Sequence, residues 1–315
     1  MLVHSTAIIH EGAVLGADCE IGPNCIVGPN VVLGDRVKLI SNVVVDGRTT
    51  IGDDSIVYPF AVLGLIGQDL KWQDENSMTG LTIGKRCRIR EYVTIHSGTP
   101  ASDGTTIGDD CQIMAQAHVA HDCNIGNNVV LSNLVQVAGH VKIEDFATLS
   151  AGVMVLQFSH IGRNSFITAM SRVTNDVLPY AIYEGDSHAE YRTINRIGLR
   201  RHGFTTKDMH AIHAVYNAVF SCTESVLSER LTKMREEVKN KYALDAIDFI
   251  ENRSNKGNLI IHTISRKTFL KLSADFISCF FHNSVKPLLH RFMNVFSYFL
   301  GKSLFIPKKP SKGSI

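Results

Sequence analysis

An aliphatic residue recurs every six positions through the first 176 residues, and that spacing leaves few folds open. In blocks of six from Ala7, the third residues are Ile9, Leu15, Ile21, Val27, Leu33, Leu39, Val45, Ile51, Val57 and Leu63. The frame resumes at Ile83, Ile89 and Ile95, and again from Ile107 through Val119, Val137 and Val155 to Val173. The first position is small or β-branched, and five of the seven cysteines stand there: Cys19, Cys25, Cys87, Cys111 and Cys123. Thiols in that place read as small buried hydrophobes. Gly often follows the aliphatic, as at Gly16, Gly22, Gly28 and Gly34.

A strand points alternate side chains to opposite faces, so positions one and three go inward together and position two outward. The following Gly suits a corner with positive φ. Three such sides close an 18-residue coil, and stacked coils pile aliphatics in columns that no single coil could bury. A six-residue period cannot keep one face of a 3.6-residue turn inward, so a helix is excluded. The expected fold is a mainly β, parallel β-helix over 1–180, then a small C-terminal α-helical domain over 181–257. Two stretches leave the frame: 65–80, with the only Trp, and 99–104, TPASDG; both read as external loops. Thr205 or Thr206 can cap a helix over Lys207–Phe220, with further helices over Glu224–Tyr242 and Leu244–Asn252.

A composition of 44% hydrophobic and 20% charged residues fits a globular protein, and a net charge of +2 gives no case for nucleic acid. No signal peptide or transmembrane run is expected, and seven cysteines without a CxxC pair point to a reducing, cytoplasmic compartment. Residues 258–315 differ: nine Lys or Arg against Asp275 alone, a balance of +8 that leaves −6 for the rest, and eight of the fifteen Phe. Such an extension suits peripheral contact with an anionic membrane or extra helices on the helical domain. Liposome flotation with and without 258–315 separates these, and identical behaviour removes the membrane reading.

Chemistry gathers at one corner. Eighteen residues, one coil, separate His121 from Gly139 and Asp122 from His140, so each pair stacks about 4.8 Å apart. His118 faces outward nearby. This set suits acyl transfer: His takes a proton from a hydroxyl, Asp orients the ring and supports its cation, and the Gly139 amide receives an oxyanion. The alternative is zinc on His96, His118 and His121 between subunits, though no ligand spacing is diagnostic; neither metal nor cofactor is expected.

At these residues the chain resembles the bacterial UDP-N-acetylglucosamine O-acyltransferases. The resemblance covers about residues 5–255 and rests on EIGPNCIVGP, IGQDLKW, IREYVTIHSGT, AHVAHDCNIGN, VAGHVKIEDFA, LPYAIYEGDSHA and GLRRHGF. It implies a left-handed β-helix, a homotrimer with sites between subunits, and the first step of lipid A biosynthesis. A fatty acyl group, 3-hydroxylated in the expected case, would pass from acyl carrier protein to the glucosamine 3-hydroxyl of UDP-N-acetylglucosamine. It further implies His121 as general base, supported by Asp122, with Gly139 as oxyanion donor. Gln68, Asp69, Lys71, His96, His118, His140 and Gln157 would contact substrate, and Asn195 and Arg201 the uridine diphosphate. Ala169 and Met170 would set acyl length. Leu156 stands where the family has His, and Ile197 where an acidic residue is usual. Other readings are an N-acyltransferase, whose uridine-binding module is missing before Ala7, a repurposed paralogue, and a zinc lyase of carbonic anhydrase type.

Overall fold

The structure, a computed structural model, describes residues 1–220 and 226–254; the basic Phe-rich extension 258–315 lies outside them. Two- and three-residue strands wind into a three-sided parallel β-helix. The first face runs from Leu2–Val3 to Phe166–Ile167, the second from Ile8–Ile9 to Arg172–Val173, and the third from Val14–Leu15 to His160–Ile161. Uninterrupted coils pair at a spacing of 18, as His118 with Gln136 and Val119 with Val137. The β-helix therefore begins before Ala7, with Leu2–Val3 pairing to Glu20–Ile21.

Positions one and three are buried as the period requires: Cys19, Val27, Leu33, Val119 and Val137 are within 1% of full burial. Each such aliphatic contributes about 1.5–3 kcal/mol from removal of apolar surface. Ala7, Ile9, Ala13 and Leu15 are only partly buried, because the first coil has a neighbour on one side alone. The five framed cysteines are buried and free.

The corners correct one expectation. Positive φ falls at position six of the hexad and, Gly64 apart, not at the Gly of position four: Asp18, Asn24, Arg36, Asn42, Asp54, Asp122 and His140 all lie between 52° and 61°. Asp and Asn tolerate this region better than most residues. The position-four glycine answers a close approach instead. A Cβ on Gly22 would come 1.7 Å from the Ile40 carbonyl oxygen of the next coil.

After Asp176 the chain does not pass at once into helices. Ala181–Glu184 adds to the first face and Glu190–Ile194 pairs antiparallel with it. Then come α1 (Arg196–Arg201), α2 (Thr206–Phe220), α3 (Leu227–Glu237) and α4 (Lys241–Ser254). Thr205 caps α2 reciprocally: its Oγ1 accepts from the Asp208 amide at 3.2 Å while Asp208 Oδ2 accepts from the Thr205 amide at 2.9 Å. The expected helix over Glu224–Tyr242 stops early because Asn240 Oδ1 accepts from the Tyr242 and Ala243 amides at 3.0 and 3.2 Å, starting α4. These elements close the end of the solenoid. Tyr180 donates to Asp245 at 2.6 Å, and Arg253 grips the buried Asp176 carboxylate at 2.6 and 3.1 Å.

Candidate active site

His121, Asp122, Gly139, His140, Gln157 and Phe158 occupy the corner between the second and third faces on three successive coils. His121 and Gly139 take position five of their hexads, Asp122 and His140 position six. His121 Nδ1 lies 2.7 Å from Asp122 Oδ2. Its ring lies across Gly139, where an added Cβ would stand 2.8 Å from His121 Cε1 and Nε2; only glycine leaves room for it. The His140 amide donates to the His121 carbonyl at 3.1 Å. The His140 ring stacks on Phe158, centroids 4.7 Å apart and planes 6° from parallel, and places Nε2 3.6 Å from Asp122 Oδ2. The Gly139 amide makes no hydrogen bond to any described residue.

Sequence reasoning placed this group on an outer edge; the structure buries its centre. His121 is 6% exposed and the Asp122 side chain 0%. Both interruptions of the frame leave from this same corner, on the coils that precede His121. The 65–80 loop lays Gly67 against the imidazole, with a would-be Cβ 3.2 Å from His121 Cβ. The 99–104 turn covers the carboxylate: the Thr99 amide and hydroxyl donate to it at 2.7 and 2.8 Å, and the Ser102 hydroxyl donates to Oδ1. Burial works to raise the Asp122 pKa, but the hydrogen bonds from Ser102, His121 and Thr99 outweigh it and hold the carboxyl below the ordinary range. Asp122 is therefore an anion facing Nδ1. That fixes Nδ1 as the protonated nitrogen and leaves Nε2 as the acceptor.

His96 and His118 line the neighbouring surface, ring centroids 4.8 Å apart. His118 Nδ1 bonds Thr94 Oγ1 at 2.7 Å. Burial, then the nearby His118 and His121, lower the His96 pKa to about 4; burial, then His121, lowers that of His118. Both are neutral at physiological pH, and His96 Nδ1 is buried without a partner. Gln68 and Lys71 are exposed on the 65–80 loop, where Asp69 Oδ1 accepts from the Lys71 amide at 3.0 Å.

The remaining candidates sit on other corners of the prism. Ala169 and Met170 lie between the first and second faces, with Met170 Sδ over Gly152. Asn195 lies by the corner between the third and first faces. Its Oδ1 caps α1 by accepting from Gly198 at 3.0 Å, and its Nδ2 donates to the Asn164 carbonyl at 3.0 Å. Arg201 is exposed at the end of the same helix. One chain does not bring these residues to His121.

The trio raised for zinc, His96, His118 and His121, does not converge. Among the described residues the one group with donor atoms mutually within 4.8 Å is His121, Asp122 and His140. Its 2.7 Å contact between Nδ1 and Oδ2 is a direct hydrogen bond. Donors each about 2.0–2.2 Å from a tetrahedral ion would stand further apart, so the spacing suits a proton. Sequence reasoning missed Thr99, Ser102, Gly67 and Phe158. Their signal was that Leu63 and Ile95, which precede the two interruptions, share a face with Val119.

A solenoid of hexads carrying a buried imidazole–carboxylate pair beside an unengaged corner amide has the build of a hexapeptide-repeat acyltransferase. Residues 2–35 and 104–139 match the bacterial transferase hexapeptide (six repeats) family, and residues 176–259 match domain 2 of the UDP-N-acetylglucosamine O-acyltransferases. The acyl-[acyl-carrier-protein]–UDP-N-acetylglucosamine O-acyltransferase of Sinorhizobium fredii is 40% identical over 222 residues, 70% of this chain and 81% of that one. The UDP-N-acetylglucosamine acyltransferase structure from Bacteroides fragilis matches at TM-score 0.76 and 36% identity, over 80% of this chain and 97% of that one. That from Moraxella catarrhalis matches at 0.77 and 34%, over 83% and 100%. The chain belongs to the acyl-[acyl-carrier-protein]–UDP-N-acetylglucosamine O-acyltransferase family.

Proposed function

We propose that this enzyme transfers a fatty acyl group, a 3-hydroxyacyl group in the family's manner, from acyl carrier protein to the glucosamine 3-hydroxyl of UDP-N-acetylglucosamine, opening lipid A synthesis. His121 Nε2 takes the hydroxyl proton as the oxygen attacks the thioester carbonyl. The Gly139 N–H receives the negative charge that develops on the carbonyl oxygen. The attack forms the ester C–O bond; collapse of the tetrahedral intermediate restores C=O and breaks C–S, and the proton on His121 passes to the departing thiolate. Asp122 holds the imidazole in its tautomer and supports the transient cation.

The observation that carries this reading is the His121–Asp122 bond of 2.7 Å beside the Gly139 amide, which makes no hydrogen bond to any described residue. The family supplies the substrate class. The placement of Ala169, Met170, Asn195 and Arg201 on other corners favours a homotrimer, in which neighbouring copies bring acyl-length and nucleotide residues to each His121. His121→Ala should lower the rate at least about 10²-fold, the usual weight of a general base. Product mass spectrometry with UDP-N-acetylglucosamine and carrier proteins bearing saturated and 3-hydroxylated chains reads both rate and acyl choice. Undiminished turnover by His121→Ala would refute the assigned role.

A further inference from the structure

The 99–104 turn does more than close a gap in the repeat. The Asp122 carboxylate accepts at Oδ1 from the Thr99 amide and the Ser102 hydroxyl, and at Oδ2 from the Thr99 hydroxyl and His121 Nδ1. A carboxylate has about four acceptor positions, so all are filled. The direction of each hydroxyl is set from behind. Thr99 Oγ1 accepts from the Ala101 amide at 3.2 Å, and Ser102 Oγ accepts from the Gly104 amide at 3.1 Å, which turns each O–H toward Asp122. The weaker alternative for Ser102, donation to the Gly104 carbonyl, is at 3.5 Å.

We propose that Thr99 and Ser102 are positioning residues for acyl transfer, their turn aiming one lobe of the Asp122 carboxylate at His121 Nδ1. The proposal rests on the reading of His121 as the base. Three donors from the turn fix the carboxylate in rotation and in the plane of its oxygens. The imidazole on the fourth position inherits that orientation, and Nε2 is held over the Gly139 amide side of the corner. With the carboxylate saturated, His140 Nε2, at 3.6 Å, makes no hydrogen bond to it, and its ring stacks on Phe158. The charged or titratable groups around Asp122 are the His121 and His140 imidazoles on its own corner, the buried Cys123 thiol that follows it, and Asp103 in the turn, which is exposed.

The test compares full-length wild type, Thr99→Val/Ser102→Ala, each single variant, Thr99→Ser and His121→Ala, all checked by thermal melting. Removing the hydroxyls should lower kcat about 10- to 100-fold, as misorientation of a catalytic group does, with KM unchanged. A less saturated carboxylate is more basic and holds the imidazolium more tightly, so the acid limb of the kcat–pH profile should move to higher pH. Thr99→Ser should restore both readouts. Should the double variant fail to fold, the single variants carry the same comparison. Wild-type kcat and acid limb in folded variants lacking the hydroxyls would overturn the proposal, as would a folded Thr99→Ser that restores neither. Inactive His121→Ala beside unaffected turn variants sinks the positioning role alone; active His121→Ala sinks both.

Discussion

Two corners of the same prism put one backbone to opposite uses. At the corner between the third and first faces, the position-five amides of several coils donate to an Asx side chain on the next. Ala17 donates to Asp35 at 2.8 Å, Lys85 to Asp109 at 2.9 Å, Asp109 to Asn127 at 2.8 Å and Asn127 to Asp145 at 2.7 Å. Position six there carries exposed, alternating charge, with Arg36 on Asp54 at 2.6 and 2.8 Å and Arg86 on Asp110 at 2.7 and 2.7 Å. At the corner between the second and third faces, the residue above Gly139 is Gln157, too long to fold back as an Asx does, and the Gly139 amide stays unengaged. The position-six carboxylate, Asp122, is covered by the 99–104 turn and bonded to an imidazole. One corner uses its polar groups to hold coils together; the other leaves an amide and an imidazole nitrogen with no hydrogen bond to any described residue.

The sharpest way to break this comparison is to give the second corner what the first one has. Gln157→Asn should let the new side chain accept from the Gly139 amide, as Asn127 accepts from Asp109. The rate should fall about 10²-fold, the scale of losing one oxyanion donor, with no drop in melting temperature. Gln157→Ala, which offers no acceptor, should retain more activity. Equal rates in the two variants would mean that the amide takes no part.

A second comparison is by pH. His96, lowered from 6.5 to about 4 in the folded chain, binds its proton more readily unfolded. Stability is therefore present above about pH 6.5 and is lost as pH falls toward 4, by about 3 kcal/mol in all. Glu144 behaves differently: burial raises its pKa, but the hydrogen bond from His160 and the charges of His160 and Arg163 dominate and bring it to about 2. Its contribution is present above the usual 4.5 and is lost only as pH falls from there toward 2. Melting curves from pH 7 to pH 4 should thus fall for the wild type and flatten in His96→Gln. An unchanged slope in that variant would assign the acid sensitivity elsewhere.

The smallest effect belongs to the charge ladder. Arg36→Ala should leave the rate unchanged and lower the melting temperature by no more than a few degrees, since exposed ion pairs contribute little. A loss of activity would show that the two corners are coupled.

Much of this was legible in the chain. The period, the inward aliphatics at Ile21, Val27 and Leu33, and the stacking of Gly139 on His121 follow from a short strand's alternation and an 18-residue coil. Less legible was what lies outside the frame. The positive-φ corner at position six, filled by residues as unlike as Asp122, His140 and Phe158, leaves little compositional trace. Strands 181–184 and 190–194 escaped because the hexad had ended, and the helix expected over 224–242 ended at Glu237, ahead of an asparagine whose side chain caps α4.

What the sequence determined alone was the repeat, because burying an aliphatic every sixth residue permits few geometries. It also set the coil-to-coil neighbours at each corner. Only the tertiary structure decided that Asp122 is buried and saturated and that the loop at Gly67 presses on His121. The physical reason is that the excursions at 65–80 and 99–104 carry no period. Where they land is set by packing and hydrogen bonds across coils, which spacing along the chain does not encode.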